Sequence, residues 1–447
     1  MRKTKIIATI GPATESSEML KKLFDAGCNV VRINMSHSSQ SDAAQIISRV
    51  RTISESIAIL LDTRGPEVRT TEVESPIDFK VGDRVEISGV PGMTTKEVVR
   101  VNYPAFARAM EIGSEILLND GRIQLTVDAV EPSLICTVQV GGQLGSKKGV
   151  NVPGVRLPMP FLSDQDISDI RFGVRHQVDF IAASFVSEPE DVLKLKELVE
   201  QEGGKTSVIS KIEARFALKN LSEIIAVSEG LMVARGDLGV EIPAEEVPVV
   251  QRQIIDACRA AGRTVIVATE MLESMISNPR QTRAETSDVA NAIFDGTDAI
   301  MLSGETSVGK YPIQAVSAMS RIARVAENEF ARRNRDVPGG NRASSISELM
   351  CKGAWLASRE LNIRAILVPT STGTTARRMS RYRPKAPILA TTSDRAIGRS
   401  LSLHYGVFSL PTRHYGRMEN MIRRSCQLMM EHGYLEASDQ IAVVCGV

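Results

Sequence analysis

Two short runs hold the densest mixture of ionisable groups in the chain, Lys211-Ile212-Glu213 and Arg235-Gly236-Asp237. Glu213 and Asp237 offer the hard carboxylate oxygens that a divalent cation takes. Magnesium is satisfied with one or two of them and fills its remaining positions with water and substrate oxygens. Arg32, Arg69 and Lys211 supply positive charge for a phosphate or carboxylate, the arginines through a bidentate fork. Such a set fits metal-assisted chemistry on a phosphorylated acid. Each part also has a plainer reading. A lone Lys-Ile-Glu is a solvated pair, and Arg-Gly-Asp before another glycine is a turn. Asp62 can cap a helix or brace Arg64, and Thr269 alone is unremarkable.

What unites these residues is where they fall. Eight short β-branched runs punctuate the chain, at 6–10, 29–33, 57–61, 179–183, 207–210, 231–234, 264–268 and 299–302. Continuous apolar runs of this length read as strands buried on both faces. Helical patterns follow near 17–26, 41–54, 163–176, 188–202, 214–226, 244–262, 281–294 and 312–329. One start signal is a capping box of Ser187 and Glu190, with Pro189 in the first turn and Gly203-Gly204 after the end. Alternation of this kind implies a parallel sheet.

Residues 71–154 interrupt the pattern with glycine-punctuated runs, which read as a separate all-β insertion. Without them the chain up to position 330 is close to the ~250 residues of a (β/α)8 TIM barrel. A doubly wound open sheet is the competitor. The expected division is a barrel catalytic domain at 1–70 and 155–330, and a β-barrel lid domain at 71–154. A linker follows at Ala331–Arg342, and residues 331–447 form a C-terminal α/β domain for regulation or oligomerisation. Its strands are expected near 365–368, 388–390 and 440–445.

In a barrel, chemistry gathers at the C-terminal strand ends. Those ends carry Arg32, Asn34 and Ser36; Asp62, Thr63 and Arg64, then Glu67 and Arg69; Ser184; Lys211 and Glu213; Arg235, Gly236 and Asp237; Thr269 and Glu270; and Ser303 and Glu305.

Composition bounds the partners. With 54 basic and 53 acidic residues the net charge is +1, which gives no reason to expect nucleic acid. Charged residues at 24% and hydrophobic residues at 43% are ordinary for a globular chain. No apolar run approaches the ~18–20 residues that span a bilayer, and the N-terminus lacks a signal-peptide core, so no membrane partner is expected. The six cysteines are scattered without a C-x-x-C pair, which makes a reduced cytoplasmic setting the default.

The chain also resembles the pyruvate kinase family over nearly all its length. The resemblance lies in the opening KIIATIGPATESSEMLKKLFDAGCNVVRINMSHSS and in LDTRGPEVRT (61–70), LLNDGRIQL (117–125) and GSKKGVNVPG (145–154). It continues in SKIEARFALKNLSEI (210–224), GLMVARGDLGVEIP (230–243), ATEMLESM (268–275) and TRAETSDVANAIFDGTDAIMLSGETSVGKYP (282–312). It implies transfer of the phosphoryl group of phosphoenolpyruvate to ADP, giving pyruvate and ATP, the last step of glycolysis. The implied cofactors are magnesium (or manganese) and potassium. Arg32 would contact the phosphoryl group and Lys211 neutralise it. Glu213 and Asp237 would hold the magnesium, and Gly236 and Thr269 the substrate carboxylate. Thr269 and Ser303 would lie near the path that protonates the enolate. Asn34, Ser36, Asp62 and Thr63 would coordinate potassium. Asn34, His37, Arg69, Lys148 and the lid's Asp120 would serve the nucleotide. Glu67 marks the family's potassium-dependent branch, and the family suggests a homotetramer.

Two departures stand out. Glu270 occupies a position that is Gln in many members, so it either bears on the metal or faces away. The chain ends IAVVCGV, where related chains continue with a Gly-Thr-Thr-rich loop and a strand that help form an effector site. What remains of that site is Thr370-Ser371-Thr372-Gly373-Thr374-Thr375. This run reads either as a cradle for a phosphorylated allosteric effector at a helix start or as an N-capped turn. Arg377, Arg378, Arg381 and Arg383 would serve the same anion or form a solvated or subunit-contact face. Pyruvate-using metal-dependent aldolases share a related barrel and a Glu/Asp pair, but lack the lid and the third domain. A non-catalytic descendant is the remaining alternative.

Overall fold

Eight parallel strands hydrogen-bond in a closed ring. In chain order they are Lys5–Thr9, Val30–Asn34, Ala58–Asp62, Phe180–Ala183, Ser207–Ile212, Gly230–Ala234, Thr264–Ala268 and Ala299–Leu302, and the last pairs with the first. This computed structural model describes residues 1–333, 345–414 and 417–445. The closed ladder excludes the open doubly wound sheet. Strands such as AILLD and TVIVA are buried along their whole length, as the uninterrupted apolar runs imply. Ile7, Val30, Leu60, Phe180, Ile209, Met232, Ile266 and Met301 fill the interior. Leu403 of the C-terminal region joins that cluster and plugs the barrel floor. A larger cluster lies between strands and helices.

The helices depart from the sequence pattern in three places. The run expected at 214–226 is two helices, Arg215–Lys219 and Leu221–Val227, because Asn220 leaves helical geometry and its side chain donates to the Ser187 carbonyl at 2.8 Å. The cap expected from Ser187 and Glu190 is one residue further on: the Asp191 carboxylate accepts from the Ser187 and Glu188 N–H groups at 3.0 and 3.2 Å. Arg235–Glu241 is helical, although its Arg-Gly-Asp reads as a turn, and Gly304–Ser307 forms a further short helix. The last barrel helix runs from Pro312 to Arg333, and the rest of the expected linker lies outside the described residues.

The insertion is a curled six-stranded sheet, mostly antiparallel, with a separate two-stranded ladder. Its ladder does not close, so it is not a full hydrogen-bonded barrel. Its hydrophobic cluster takes in Val68, and partly buried Val155, Leu157 and Met159 pack against it, which extends the apolar unit slightly beyond 71–154. The C-terminal region carries a four-stranded parallel sheet ordered Val407–Pro411, Ile388–Thr392, Ala365–Pro369, Ile441–Val443. Its edge strand Val407–Pro411 was not apparent as a β-branched run in the sequence.

Candidate active site

Lys211 lies at the centre of the barrel mouth. Residues two apart on one strand share a face, so the strand that places Lys211 places Glu213 beside it. The Lys211 ammonium contacts Glu213 Oε1 at 2.7 Å and Asp62 Oδ1 at 3.1 Å, and donates to Ser184 Oγ at 2.7 Å. Arg32 approaches the other Asp62 oxygen, Oδ2, at 2.6 Å and donates to Thr9 Oγ1 at 3.0 Å. Residues on or just after the first five barrel strands thus meet in one buried network.

The charges in this network are not evenly matched. Burial alone would raise the Asp62 pKa, but Arg32 and Lys211 outweigh it and hold the carboxyl below its ordinary range. Burial opposes the Lys211 charge, yet Asp62 and Glu213 overcome that and raise its pKa. Glu213 is different. Burial pushes it up to about 7 despite Lys211, and the Asp237 charge adds to the rise. Burial raises Asp237 as well, and its side chain hydrogen-bonds to Glu213. One ammonium is shared among more acids than it can neutralise. Two neighbouring carboxyls whose ionisation burial opposes are a donor set that a hard divalent cation fits. Among the described residues no group of three or more His, Cys, Asp and Glu side chains forms a metal cage. A cation here would therefore take further ligands from water or substrate.

Backbone strain fixes several donors. Phe185 has φ +56° and directs its N–H to Glu213 Oε2 at 2.6 Å. Thr269 and Glu270 also lie in the left-handed region, at +66° and +53°. For a β-branched threonine that is a true outlier, at a cost of about 1–3 kcal/mol. Arg235 holds it in place. Its guanidinium donates to the Thr269 carbonyl at 2.6 and 3.2 Å and to the Glu270 carbonyl at 3.1 Å, and pairs with Asp288 at 2.8 Å. Thr269 Oγ1 then accepts from Gly236 N–H at 2.8 Å. Glu305 is an internal brace, accepting from Leu272 N–H at 3.0 Å and Ser303 N–H at 2.7 Å.

The remaining sequence-derived residues fall into two groups. Asn34 and Asp62 are register partners on strands two and three, and Ser36 and Thr63 continue from those strand ends. Asn34 Oδ1 accepts from Ser36 N–H at 3.1 Å, and Ser184 links to Thr63 through two hydrogen bonds. A cleft of about 200 Å3 between lid and mouth is bounded by Glu67, Arg69, Asp120 and Asp237. Arg69 pairs with Glu67 at 2.7 Å. Asn151 of the lid reaches Glu241 of the barrel at 3.4 Å. His37 is exposed, and neither it nor Lys148 lines that cleft; the Lys148 backbone instead pairs with Thr70. Glu270 is exposed, unlike Glu213. Asp166 and Met35, rather than Asp62, accept hydrogen bonds from Arg64. Sequence reasoning missed the roles of Thr9, Phe185 and Asn151. Their signals are a lone hydroxyl, a backbone N–H and an amide in the insertion, none distinctive without the fold.

A closed parallel barrel with a buried Lys–Glu–Asp mouth beside a β insertion fits a phosphotransferase of the TIM-barrel type. The family models described as pyruvate kinase, barrel domain, and pyruvate kinase, alpha/beta domain, match residues 1–316 and 348–447. Proteins named pyruvate kinase are similar along the whole chain. That of Geobacillus stearothermophilus is 43% identical over 100% of this chain and 78% of its own length. That of Clostridium acetobutylicum is 42% identical over 100% and 96%, and that of Staphylococcus aureus 43% over 100% and 78%. The chain belongs to the pyruvate kinase family, and its reaction is transfer of the phosphoryl group of phosphoenolpyruvate to ADP, giving pyruvate and ATP.

Proposed function

We propose that Lys211 carries this reaction by neutralising the phosphoryl group in flight, with Arg32 gripping the same group from the neighbouring network. Supporting this is the placement of the Lys211 ammonium within 3.1 Å of two carboxylates and a hydroxyl, held charged and immobile. Phosphoryl transfer needs positioned charge more than covalent help. A preorganised ammonium needs no reorganisation as charge develops.

Glu213 and Asp237 are the magnesium (or manganese) ligands in this reading. The bound cation would act as a Lewis acid on the substrate oxygens. Asn34, Ser36, Asp62 and Thr63 supply oxygen ligands for potassium, Asp62 being the member that stays ionised. Thr269 Oγ1 and Gly236 N–H, paired with each other in this structure, turn to the substrate carboxylate when it binds. Enolpyruvate must then be protonated at carbon, and in this reading the Thr269 and Ser303 hydroxyls serve the proton path. Asp120 and Arg69, with Asn34, His37 and Lys148, serve the nucleotide.

In this reading residues 1–70 and 155–330 are the catalytic unit. Residues 71–154 are a lid that excludes water, and 331–447 form a regulatory and assembly unit. Loop 370–375 takes a phosphorylated effector, and the enzyme works in the cytoplasm as a homotetramer. The test is an assay of ADP-dependent pyruvate formation with magnesium and potassium varied separately. Both cations are expected to be required. Equal rates in sodium-only, potassium-free buffer at saturating substrates would remove the potassium site.

A further inference from the structure

The chain passes between barrel and insertion twice, outward through 64–70 and back through 155–163, and both crossings meet at one side chain. Asp166 lies in the first turn of the barrel helix Asp164–Arg175 and is fully buried. Its Oδ1 accepts from the Arg64 and Gly65 N–H groups, in the outward crossing, at 3.1 and 3.2 Å. Its Oδ2 accepts from Ser163 Oγ at 2.6 Å and Ser163 N–H at 3.2 Å, where the return crossing enters the helix. Four donors thus fill the acceptor positions of one carboxylate.

The loop held in this way presents part of the mouth. Asp62 and Thr63 immediately precede Arg64, and Asp62 carries the contacts to Lys211 and Arg32. Thr63 is pinned to the neighbouring strand by its N–H on the Ala182 carbonyl at 3.0 Å and by its two hydrogen bonds with Ser184. Gly65 has φ +76°, a left-handed conformation that suits glycine, and a Cβ there would fall 2.7 Å from the Phe185 ring and 2.8 Å from Ser184 Cβ. The loop therefore lies against the two residues that meet Lys211 through Ser184 Oγ and Glu213 through Phe185 N–H. On its other side Arg64 Nε donates to the Met35 carbonyl at 2.7 Å, between Asn34 and Ser36 in sequence.

We propose that Asp166 is a positioning residue for phosphoryl transfer, acting through the loop at 63–65 that sets the places of Asp62, Thr63 and Ser184. Its capping box with Ser163 serves the helix, but the bonds to Arg64 and Gly65 lie outside that box. Hydrogen bonds to a carboxylate are shorter and stronger than those between neutral groups, which suits a fixed point. Without them the loop relaxes, and Asp62 no longer holds the Lys211 ammonium in its working place. Misplacing a working group by about 1 Å costs up to ~10²-fold in rate. The same relaxation loosens the oxygen set of Asn34, Ser36, Asp62 and Thr63, a second consequence that rests on the potassium reading above.

The test compares Asp166→Ala with Ser163→Ala in the full chain. It reads kcat at saturating substrates, magnesium and potassium, and the potassium concentration that gives half-maximal rate. Both variants break the capping box, and both should melt below the parent. Asp166→Ala also frees the Arg64 and Gly65 N–H groups. Its kcat should fall tenfold or more and its potassium half-saturation rise fivefold or more, while Ser163→Ala stays within twofold of the parent in both. Asp166→Asn, whose amide oxygen can still accept from Arg64 and Gly65, should recover kcat to within threefold of the parent. The proposal is overturned if Asp166→Ala keeps kcat and half-saturation within twofold, or if Ser163→Ala changes them as far. Should Asp166→Ala not fold, Asp166→Glu, which displaces the oxygens by a methylene, is judged by the same thresholds. A parent indifferent to potassium would remove the potassium reading alone, and the kcat contrast between the variants would still decide for or against Asp166.

Discussion

The barrel buries charge at both ends, but on different terms. At the seam with the C-terminal region, the buried acids Asp298 and Asp179 are each matched by arginines. Arg383 meets Asp298 at 2.6 Å and also donates to the Gly296 carbonyl at 2.8 Å, while Tyr405 N–H reaches the same carboxylate at 3.1 Å. Arg51 and Arg399 share Asp179 at 2.8 and 2.7 Å. Burial opposes the Asp298 charge, but Arg383 prevails and holds its pKa below the ordinary value. At the mouth, burial raises Glu213 and Asp237, and the Lys211 charge does not offset it. Charge that serves the fold is satisfied by the fold. Charge that serves the reaction waits for ligands.

The contrast is sharpest if one base is removed from each end. Arg383→Met leaves Asp298 buried and unpaired, which costs about 3–5 kcal/mol. The urea midpoint should fall accordingly, with the kcat of the folded fraction unchanged; a stable variant would break the comparison at the seam. Lys211→Met should do the reverse. Its kcat should fall ~10²–10³-fold, the loss typical for one preorganised electrostatic group, while the far-UV spectrum persists. A near-normal kcat would end the assignment at the mouth.

Proton linkage gives a smaller effect of opposite sign at the two ends. Asp298 has a depressed folded pKa, so its stabilisation is complete above its unfolded value of ~3.9 and is lost as pH falls through the folded value. Glu213 has a folded value of about 7, above the ~4.3 of the unfolded chain. Its contribution is favourable below pH ~4 and is lost as pH rises towards 7 in the metal-free protein. Magnesium should therefore raise the melting midpoint more at pH 8 than at pH 5, where protons compete for the same oxygens. An equal shift at both pH values would show that the acids do not hold the cation. The smallest effect is expected from Glu270→Gln. The side chain is exposed, so kcat and the magnesium-to-manganese ratio should change by less than about twofold, the range of a neutral surface substitution.

Much of the barrel was legible because its strands are buried on both faces and leave uninterrupted apolar runs. Their observed ends lie close to those read from the pattern, as with Thr264–Ala268 and Ala299–Leu302. Short elements were not. Arg235–Glu241 looks like a turn because Gly236 and Gly239 weaken any helical pattern, yet it is helical and places Asp237 at the edge of the lid cleft. Val407–Pro411 escaped notice because it is an edge strand only partly buried, ending in proline.

The linear order of residues determined which side chains exist to do chemistry, and set Glu213, just past the strand end, two residues from Lys211. Tertiary structure alone decided that Asp62, Ser184 and Arg32 would join them, since their contacts close across barrel strands distant in sequence. It alone decided the imbalance of charge. How strongly a carboxyl resists ionisation depends on the water it has lost and the cations within a few ångströms, and neither quantity is written in its neighbours along the chain.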